Sequence, residues 1–314
     1  MKYSRFLVTG GAGFIGSHLV DSLVKDDVYI RVVDDLSSGF KENLEKNLDK
    51  IDFIEGDISK PDIVKNIVSD VDVVFHIAAN ASVPKSVENP TLDYMSNVTG
   101  TFNILKTCHD SDVKKIIYAS SAAIFGEPKY LPIDENHSKT PISPYGASKL
   151  AGEIYCYAFQ ETYGLKFTSL RIFNAIGPRQ PRYVIYDFLN KLKKDKSKLE
   201  ILGTGENIRD FIYVEDVVRT FIDCAEQSIT DGKMYNLGTG IGISITELAK
   251  MILNELNLVK TKLTYTGFSW KGDVIKLISN PNKLKKDLNI KEFTSLTNAI
   301  SDEIGWFQEK KGKI

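Results

Sequence analysis

Tyr145 and Lys149 are the residues of this 314-residue chain best placed for acid–base chemistry. They lie in Ser143-Pro144-Tyr145-Gly146-Ala147-Ser148-Lys149, and a spacing of four puts both side chains on one face of a helix. Pro144 suits the first turn of that helix, and Ser143 is its expected N-cap. An isolated tyrosine, with a pKa near about 10, is a poor base at neutral pH. A neighbouring ammonium and the helix N-terminus both favour the phenolate, and roughly 4 kcal/mol brings it near 7. Ser121, in Tyr118-Ala119-Ser120-Ser121-Ala122-Ala123, follows an apolar run and offers a hydroxyl to a substrate oxygen beside Tyr145. Ser120 competes with it and suits a backbone or cofactor contact. Taken alone, Tyr145 and Lys149 also fit an ordinary surface pair, so the elements that position them decide.

The first of those elements is the turn Val8-Thr9-Gly10-Gly11-Ala12-Gly13-Phe14-Ile15-Gly16, between an apolar strand and an amphipathic helix. Strand, glycine turn and helix N-terminus together make a cradle for a pyrophosphate. The same letters fit two spacings, Gly11-Gly13-Gly16 and Gly10-Gly13-Gly16, and an ordinary tight turn explains either. Asp34 ends the second apolar run, as the ribose-binding acid of a dinucleotide site does. Asp35 stands beside it as a competitor. A carboxylate there repels a 2′-phosphate, which favours NAD over NADP. Asp57 follows the third run, where it either meets the adenine or caps its own loop. Ile77-Ala78-Ala79-Asn80-Ala81 follows the fourth, and its small residues suit either a ligand or close helix packing.

Strand-like runs at 5–8, 28–33, 51–54, 71–77, 115–118 and 167–172 alternate with helical patterns at 14–25, 61–69, 90–110 and 144–163. Val/Ile-rich strands separated by helices predict an α/β fold, a Rossmann-type doubly wound parallel sheet covered on both faces. After Gly177 the pattern becomes irregular: helices are expected at 184–194, 215–225, 246–256, 282–288 and the chain end, a loop at 203–209 and a strand at 233–236. We read residues 1–175 as an NAD-binding domain that takes back a segment near 214–240. Residues 176–314 form a smaller α+β domain for the substrate.

Forty basic and 41 acidic residues give a net charge of −1, which offers no electrostatic reason for nucleic acid or an anionic membrane as partner. No apolar run is long enough to span a membrane, and the N-terminus enters a strand at once, so the cytoplasm is the expected location. Three scattered cysteines and four histidines show no metal-ligand spacing, and no metal is expected.

As an ordered set these residues resemble the extended short-chain dehydrogenase/reductase superfamily, within it the NAD-dependent nucleotide-sugar epimerase/dehydratase family, and most of all its UDP-hexose 4-epimerases. The matching motifs are Thr9 to Gly16, Asp34-Asp35-Leu36-Ser37-Ser38-Gly39, Gly56-Asp57-Ile58, His76-Ile77-Ala78-Ala79 and Asn97. Further on come Ser120 to Gly126, Tyr145 to Lys149, Leu170-Arg171-Ile172-Phe173-Asn174, Arg209 to Val217 and Asn236-Leu237-Gly238. The resemblance favours the Gly10-Gly13-Gly16 spacing.

It implies NAD held by Gly10, Gly13, Phe14, Ile15, Gly16, Asp34, Asp35, Leu36, Ser37, Ser38, Gly39, Asp57, Ile58, Ile77, Ala78, Ala79, Ala81, Asn97, Ser120, Tyr145, Lys149 and Phe173. It also implies that Tyr145, as phenolate beside an oxidised nicotinamide, takes a proton from the sugar 4-hydroxyl. Ser121 then bonds the same oxygen, and Lys149 holds the nicotinamide ribose and lowers the Tyr145 pKa. Asn174 and Arg209 hold the substrate diphosphate, and Ser121, Ala122 and Tyr145 line the sugar. A homodimer through the helices at 90–110 and 144–163 follows by the same resemblance.

Dehydratases of the family carry an Asp-Glu pair where this chain has Ala122 and Ala123, which favours plain epimerisation. The family's Arg-x-Gly-Asp diphosphate clamp is here Trp270-Lys271-Gly272-Asp273. Trp270 therefore replaces a guanidinium fork, although Asp273 is kept. Leu277 falls where a tyrosine confines some relatives to hexoses, so N-acetylated hexosamines are also expected to fit. The alternatives are a UDP-glucuronate 4-epimerase, another nucleotide-sugar dehydrogenase/reductase, or a non-catalytic NAD-binding scaffold. The presence of Ser121, Tyr145 and Lys149 argues against the scaffold.

Overall fold

The computed structural model describes residues 1–268 and 274–314. Six strands build the first part of the chain: β1 (Arg5–Thr9), β2 (Tyr29–Asp34), β3 (Asp52–Glu55), β4 (Val73–His76), β5 (Lys115–Ser121) and β6 (Lys166–Ile172). The helices between them are α1 (Phe14–Leu23), α2 (Pro61–Val68), α3 (Val83–Glu88), α4 (Pro90–Asp93), α5 (Gly100–Asp110) and α6 (Pro144–Tyr163). Strand residues alternate buried neighbours on both faces, as a two-sided parallel sheet requires. Phe6, Val8, Leu19, Val32 and Phe75 pack on one face; Leu7, Val74, Ile104, Ile116 and Phe167 pack on the other.

The chain then leaves the sheet. It forms β7 (Asn174–Ile176), α7 (Val184–Lys194), β8 (Lys198–Ile201), β9 (Ile208–Tyr213) and α8 (Val214–Glu226), and returns as β10 (Lys233–Leu237). The last elements are β11 (Gly242–Ser244), α9 (Ile245–Glu255), β12 (Lys262–Tyr265), β13 (Lys276–Leu277), α10 (Asn282–Asp287) and α11 (Leu296–Lys311). The main sheet has seven strands in the order β10-β6-β5-β4-β1-β2-β3. Every pairing in it is parallel; Phe6 faces both Ile30 and Val73, and Tyr235 faces Leu170. The direction of winding reverses between β1 and β4, so a crevice opens there at the strands' carboxyl ends. A second, smaller core joins α7, α9 and α11 through Phe188, Leu248, Ile300 and Phe307.

Two expectations need correction. The helix expected over 90–110 is interrupted: residues Tyr94–Thr99 are π-helical between α4 and α5. The loop expected at 203–209 ends early, because Ile208 and Arg209 already pair with β11 and β13. A 3₁₀ segment, Lys41–Lys50, and the short strands β8 and β12 were not anticipated, since the segment is mostly polar and each strand is four residues long.

Candidate active site

The glycine turn closes over the crevice. Gly10 has φ +72°, and a Cβ there would lie 2.8 Å from the Ala78 backbone. A Cβ on Gly16 would come within 3 Å of the Gly10 and Gly11 backbone. Gly10 and Gly16 are thus fixed against main chain, whereas a Cβ on Gly11 would meet the Val32 side chain. This gives the Gly10-Gly13-Gly16 spacing a physical reason. The backbone N–H groups of the first turn of α1, with Phe14 and Ile15, stay free to face an anion.

Asp34 sits directly above the turn. Its Oδ2 accepts from the Ala12 N–H and its Oδ1 from the Leu36 N–H, both at 2.9 Å. Burial raises its pKa, and those backbone bonds oppose the rise. A carboxylate has about four acceptor sites, so two remain for ribose hydroxyls. Gly39 packs against the same carboxylate. Asp35, in contrast, is exposed and accepts from Ser37 N–H and hydroxyl, which separates the two competing acids. Ser38 beside them is exposed.

Other residues expected at the cofactor have protein partners. Asp57 caps its own turn through the Ser59 N–H and hydroxyl, and Ile58 is buried against Gly100. Asn97 is buried: its Oδ1 accepts from the Asn80 N–H at 2.8 Å, and its amide donates to Asn80 O, Asp93 and Ser148. It therefore clamps the loop after β4 to the catalytic helix. Phe173 is buried, with its N–H donating to Leu237 O. Thr9 Oγ1 accepts from the Ile77 and Ala78 N–H groups, holding that loop, with Ala79 and Ala81, at the crevice edge.

The catalytic candidates meet at the same edge. Ser143 accepts from the Gly146 N–H and Pro144 opens α6, as the sequence predicts. Ser121 ends β5, accepts from the Ala123 N–H and lies near enough to the Tyr145 phenol to favour its charged form. Lys149 is buried, donates from Nζ to Ala119 O at 2.8 Å and lies over the Tyr118 ring. Burial lowers its pKa to about 8, and Asp93 opposes that. Burial pushes the Tyr145 phenol well above its ordinary value, outweighing the effect of Ser121. The expectation of a lowered phenol is therefore not met by the polypeptide alone. Of the cations, Arg182 lowers it most.

Arg182 belongs to a strap, residues 177–183, that sequence reasoning missed. The Tyr183 hydroxyl donates to Ala81 O at 2.6 Å, and His18 on α1 bonds Pro178 O and Glu215. The strap thus ties the second body to both walls of the crevice. Asp93 and Ser148 were also missed, although Asp93 lies one helical turn before Asn97.

On the substrate side, Asn174 donates to Asp210 O, and Arg209 is half-buried and donates to Ile208 O and Ile275 O. Asp210 beneath them accepts from Thr239, Gly240 and Ser279. Ala122 is buried in a small cluster with Phe125, Ile133 and Phe173, against which Leu277 packs. Trp270, Lys271 and Asp273 lie outside the described residues. Among the described residues, no group of His, Cys, Asp and Glu is placed to hold a metal, and no helix is long and apolar enough to cross a membrane.

The residues fit a dinucleotide. The glycine cradle has no room for a Cβ, Asp34 keeps free acceptor sites, and the buried Ser120 hydroxyl has no protein partner. The sequence profile of the NAD dependent epimerase/dehydratase family matches residues 6–238. The chain belongs to that family. NAD is its cofactor. A putative UDP-glucose 4-epimerase of Methanocaldococcus jannaschii is 42% identical over 256 residues, 80% of this chain and 82% of the relative. The structure of a UDP-glucose 4-epimerase from Thermotoga maritima with UDP-glucose has a TM-score of 0.91 at 37% identity, covering 97% of this chain and 99% of that one. A UDP-N-acetylglucosamine 4-epimerase from Methanobrevibacter ruminantium, in complex with UDP-N-acetylmuramic acid, also has a TM-score of 0.91, at 33% identity over 99% of this chain and 100% of that one. This member of the family is therefore a nucleotide-sugar enzyme whose sugar the shared fold does not name.

Proposed function

We propose that the protein is a nucleotide-sugar 4-epimerase acting on UDP-hexoses and their N-acetylated counterparts. The observation that carries this reading is Ser121 beside Tyr145, followed by Ala122 and Ala123, which hold no acid for elimination or decarboxylation. NAD, when bound there, would supply the hydride acceptor and donor for the sugar C4. Tyr145 takes the 4-hydroxyl proton and gives it back to the epimer. Ser121 donates to the same oxygen. Lys149 fixes the ribose, and Asp34, Ser120 and the turn Gly10-Gly13-Gly16 hold the rest of the cofactor. Asn174 and Arg209 hold the diphosphate in this assignment; Trp270 and Asp273, expected there from the sequence, lie outside the described residues. Leu277, packed against the cluster that holds Ala122, leaves more room than a tyrosine, which supports the N-acetylated substrates. In this assignment residues 1–175 with 214–240 carry the cofactor, and the rest of 176–314 carries the nucleotide sugar.

Purified protein, with no NAD added, is incubated with UDP-glucose, UDP-N-acetylglucosamine and UDP-glucuronate. The expected outcome is the 4-epimer of the first two with no net rise in NADH absorbance. NADH accumulation, or a dehydrated product, overturns the reading. A UDP-glucuronate epimer alone moves it to the uronates.

We also infer a homodimer, through α5 and α6. Phe102 on α5 and Ile154, Tyr155 and Tyr157 on α6 are exposed, and the Phe102 and Tyr155 rings meet edge to face across the two helices. Sedimentation should find a dimer at micromolar concentration, and Ile154→Glu should give monomer. A wild-type protein that sediments as a monomer removes the inference.

A further inference from the structure

Asp93 is buried at the junction of α4 with the π-helical turn, 1% exposed. Its Oδ1 accepts from the Asn97 amide at 3.0 Å and the Asn80 amide at 3.3 Å. The Ser148 hydroxyl accepts from the same Asn97 amide at 3.0 Å and donates to Tyr145 O at 2.9 Å, so Asn97 links Asp93 to the first turn of α6. The π turn makes this possible, because Asp93 and Asn97 both face α6 between Tyr145 and Lys149. Among the described residues no cation lies within ion-pair distance of Asp93. Lys149 likewise has no carboxylate within that distance, only Ala119 O and the Tyr118 ring. Two opposite buried charges thus face each other across a bridge of neutral groups, Asn97 and Ser148. Burial raises the Asp93 carboxyl and lowers the Lys149 ammonium, and each group opposes the other's shift: the ammonium favours the carboxylate and the carboxylate favours the ammonium. An isolated buried ion is costly, and an opposite charge nearby is what offsets the loss of water.

We propose that Asp93 is a positioning residue of the active site, the buried counter-charge that keeps Lys149 an ammonium and holds the first turn of α6 through Asn97 and Ser148. The other titratable groups facing this pair are Tyr145 and Cys156 on α6, His76 on β4 and Tyr118 on β5; Arg182 and Tyr183 of the strap act on Tyr145. None of these is a carboxylate; Glu153, one turn beyond Lys149 on α6, is a carboxylate whose charge is matched by the buried Arg171 guanidinium at 3.0 Å. His76 is held neutral, its pKa lowered to about 3 by burial and then by Lys149. Asp93 is therefore the anion that balances Lys149. The same charge also raises the Tyr145 phenol. Removing it moves both groups the same way, toward lower pH.

Asp93→Asn keeps the shape and the hydrogen bonds and removes the charge. In holoenzyme labelled with ¹³C,¹⁵N-lysine, the Lys149 resonance is assigned by its absence in Lys149→Met and titrated by NMR. The expected midpoint in Asp93→Asn is about one unit below wild type. Ser148→Ala, which cuts the bridge and keeps the charge, leaves it within about half a unit. A midpoint unmoved in Asp93→Asn, or moved as far in Ser148→Ala, overturns the proposal. If Asp93→Asn does not fold, Asp93→Glu decides: it retains the midpoint within about half a unit, and a full unit's fall overturns the idea. A kinetic arm rests on the 4-epimerase reading, and there both limbs of the pH profile shift acidward by about one unit. The NMR arm needs no turnover, so a failure of that reading leaves this one decided.

Discussion

Tyr145→Phe is expected to lower kcat about 10³-fold while leaving folding and bound NAD unchanged. The loss corresponds to about 4 kcal/mol of transition-state stabilisation. The substitution removes only the phenolic oxygen, and the ring keeps its place on α6 between Ser121 and the strap. The magnitude follows from the task. Sugar hydroxyls are far too weakly acidic to lose a proton to water at neutral pH, so hydride cannot leave C4 until a base takes that proton. No other base in the described site is placed for it: Ser121 is a donor, Lys149 is charged and bonded to Ala119 O, and Ala122 and Ala123 are inert.

The same geometry fixes the sign of the pH dependence. The reaction needs Tyr145 deprotonated and Lys149 protonated. Activity therefore rises with pH through the phenol's titration in the loaded enzyme and falls above about 8, where Lys149 loses its proton. Burial raises the phenol in the polypeptide alone, so its activation comes with ligands, through charge added to that of Arg182. Epimer ratios by NMR, with NAD content and melting temperature as controls, test this. A Tyr145→Phe enzyme within about tenfold of wild type removes Tyr145 from the role.

How much of this was legible beforehand varied with the period of the signal. The parallel sheet was readable because β1, β4 and β5 carry apolar runs separated by helical patterns, and a glycine turn follows β1. Even β10 stood out from Met234 to Leu237, in spite of its distance along the chain. Tyr145, Lys149, Ser121 and the glycine turn were readable because each sits in a local motif at a helix start or a strand end. Asp93 and Arg182 were not readable. Asp93 acts across a π-helical turn that periodicity reads as plain helix, and Arg182 acts through a strap whose position depends on Tyr183 reaching Ala81, a hundred residues earlier in the chain. Asn97 was placed at the cofactor by its motif, but its amide groups are committed to Asn80, Asp93 and Ser148. The short strands β8, β12 and β13 gave no pattern because two to four residues hold at most two alternations.

Glu153→Leu is expected to cost about 3–5 kcal/mol of stability, a fall in melting temperature on the order of 10 °C. Glu153 and Arg171 are both buried, 1% exposed, and their guanidinium–carboxylate contacts run from 3.0 to 3.2 Å. Ser169 donates to the same carboxylate at 2.9 Å, and Arg171 also bonds Glu135 O and stacks on Phe125. Leucine fills the space but leaves a guanidinium buried in the sheet without its counter-charge, which is the large term. The double variant Glu153→Leu with Arg171→Met removes both charges and should regain most of the stability, since paired burial itself adds little. Activity is expected to behave differently. Glu153 is one turn beyond Lys149 on the same face of α6, where Gly152 lets the helix approach Tyr118 closely and the Tyr118 hydroxyl bonds Lys149 O. The ion pair therefore fixes the rotation of the helix that aims Tyr145 and Lys149, and an apolar contact does not specify that rotation. A double variant with near-wild-type melting temperature and kcat reduced at least about tenfold is the expected pattern. Recovery of both together would mean that the pair serves stability alone.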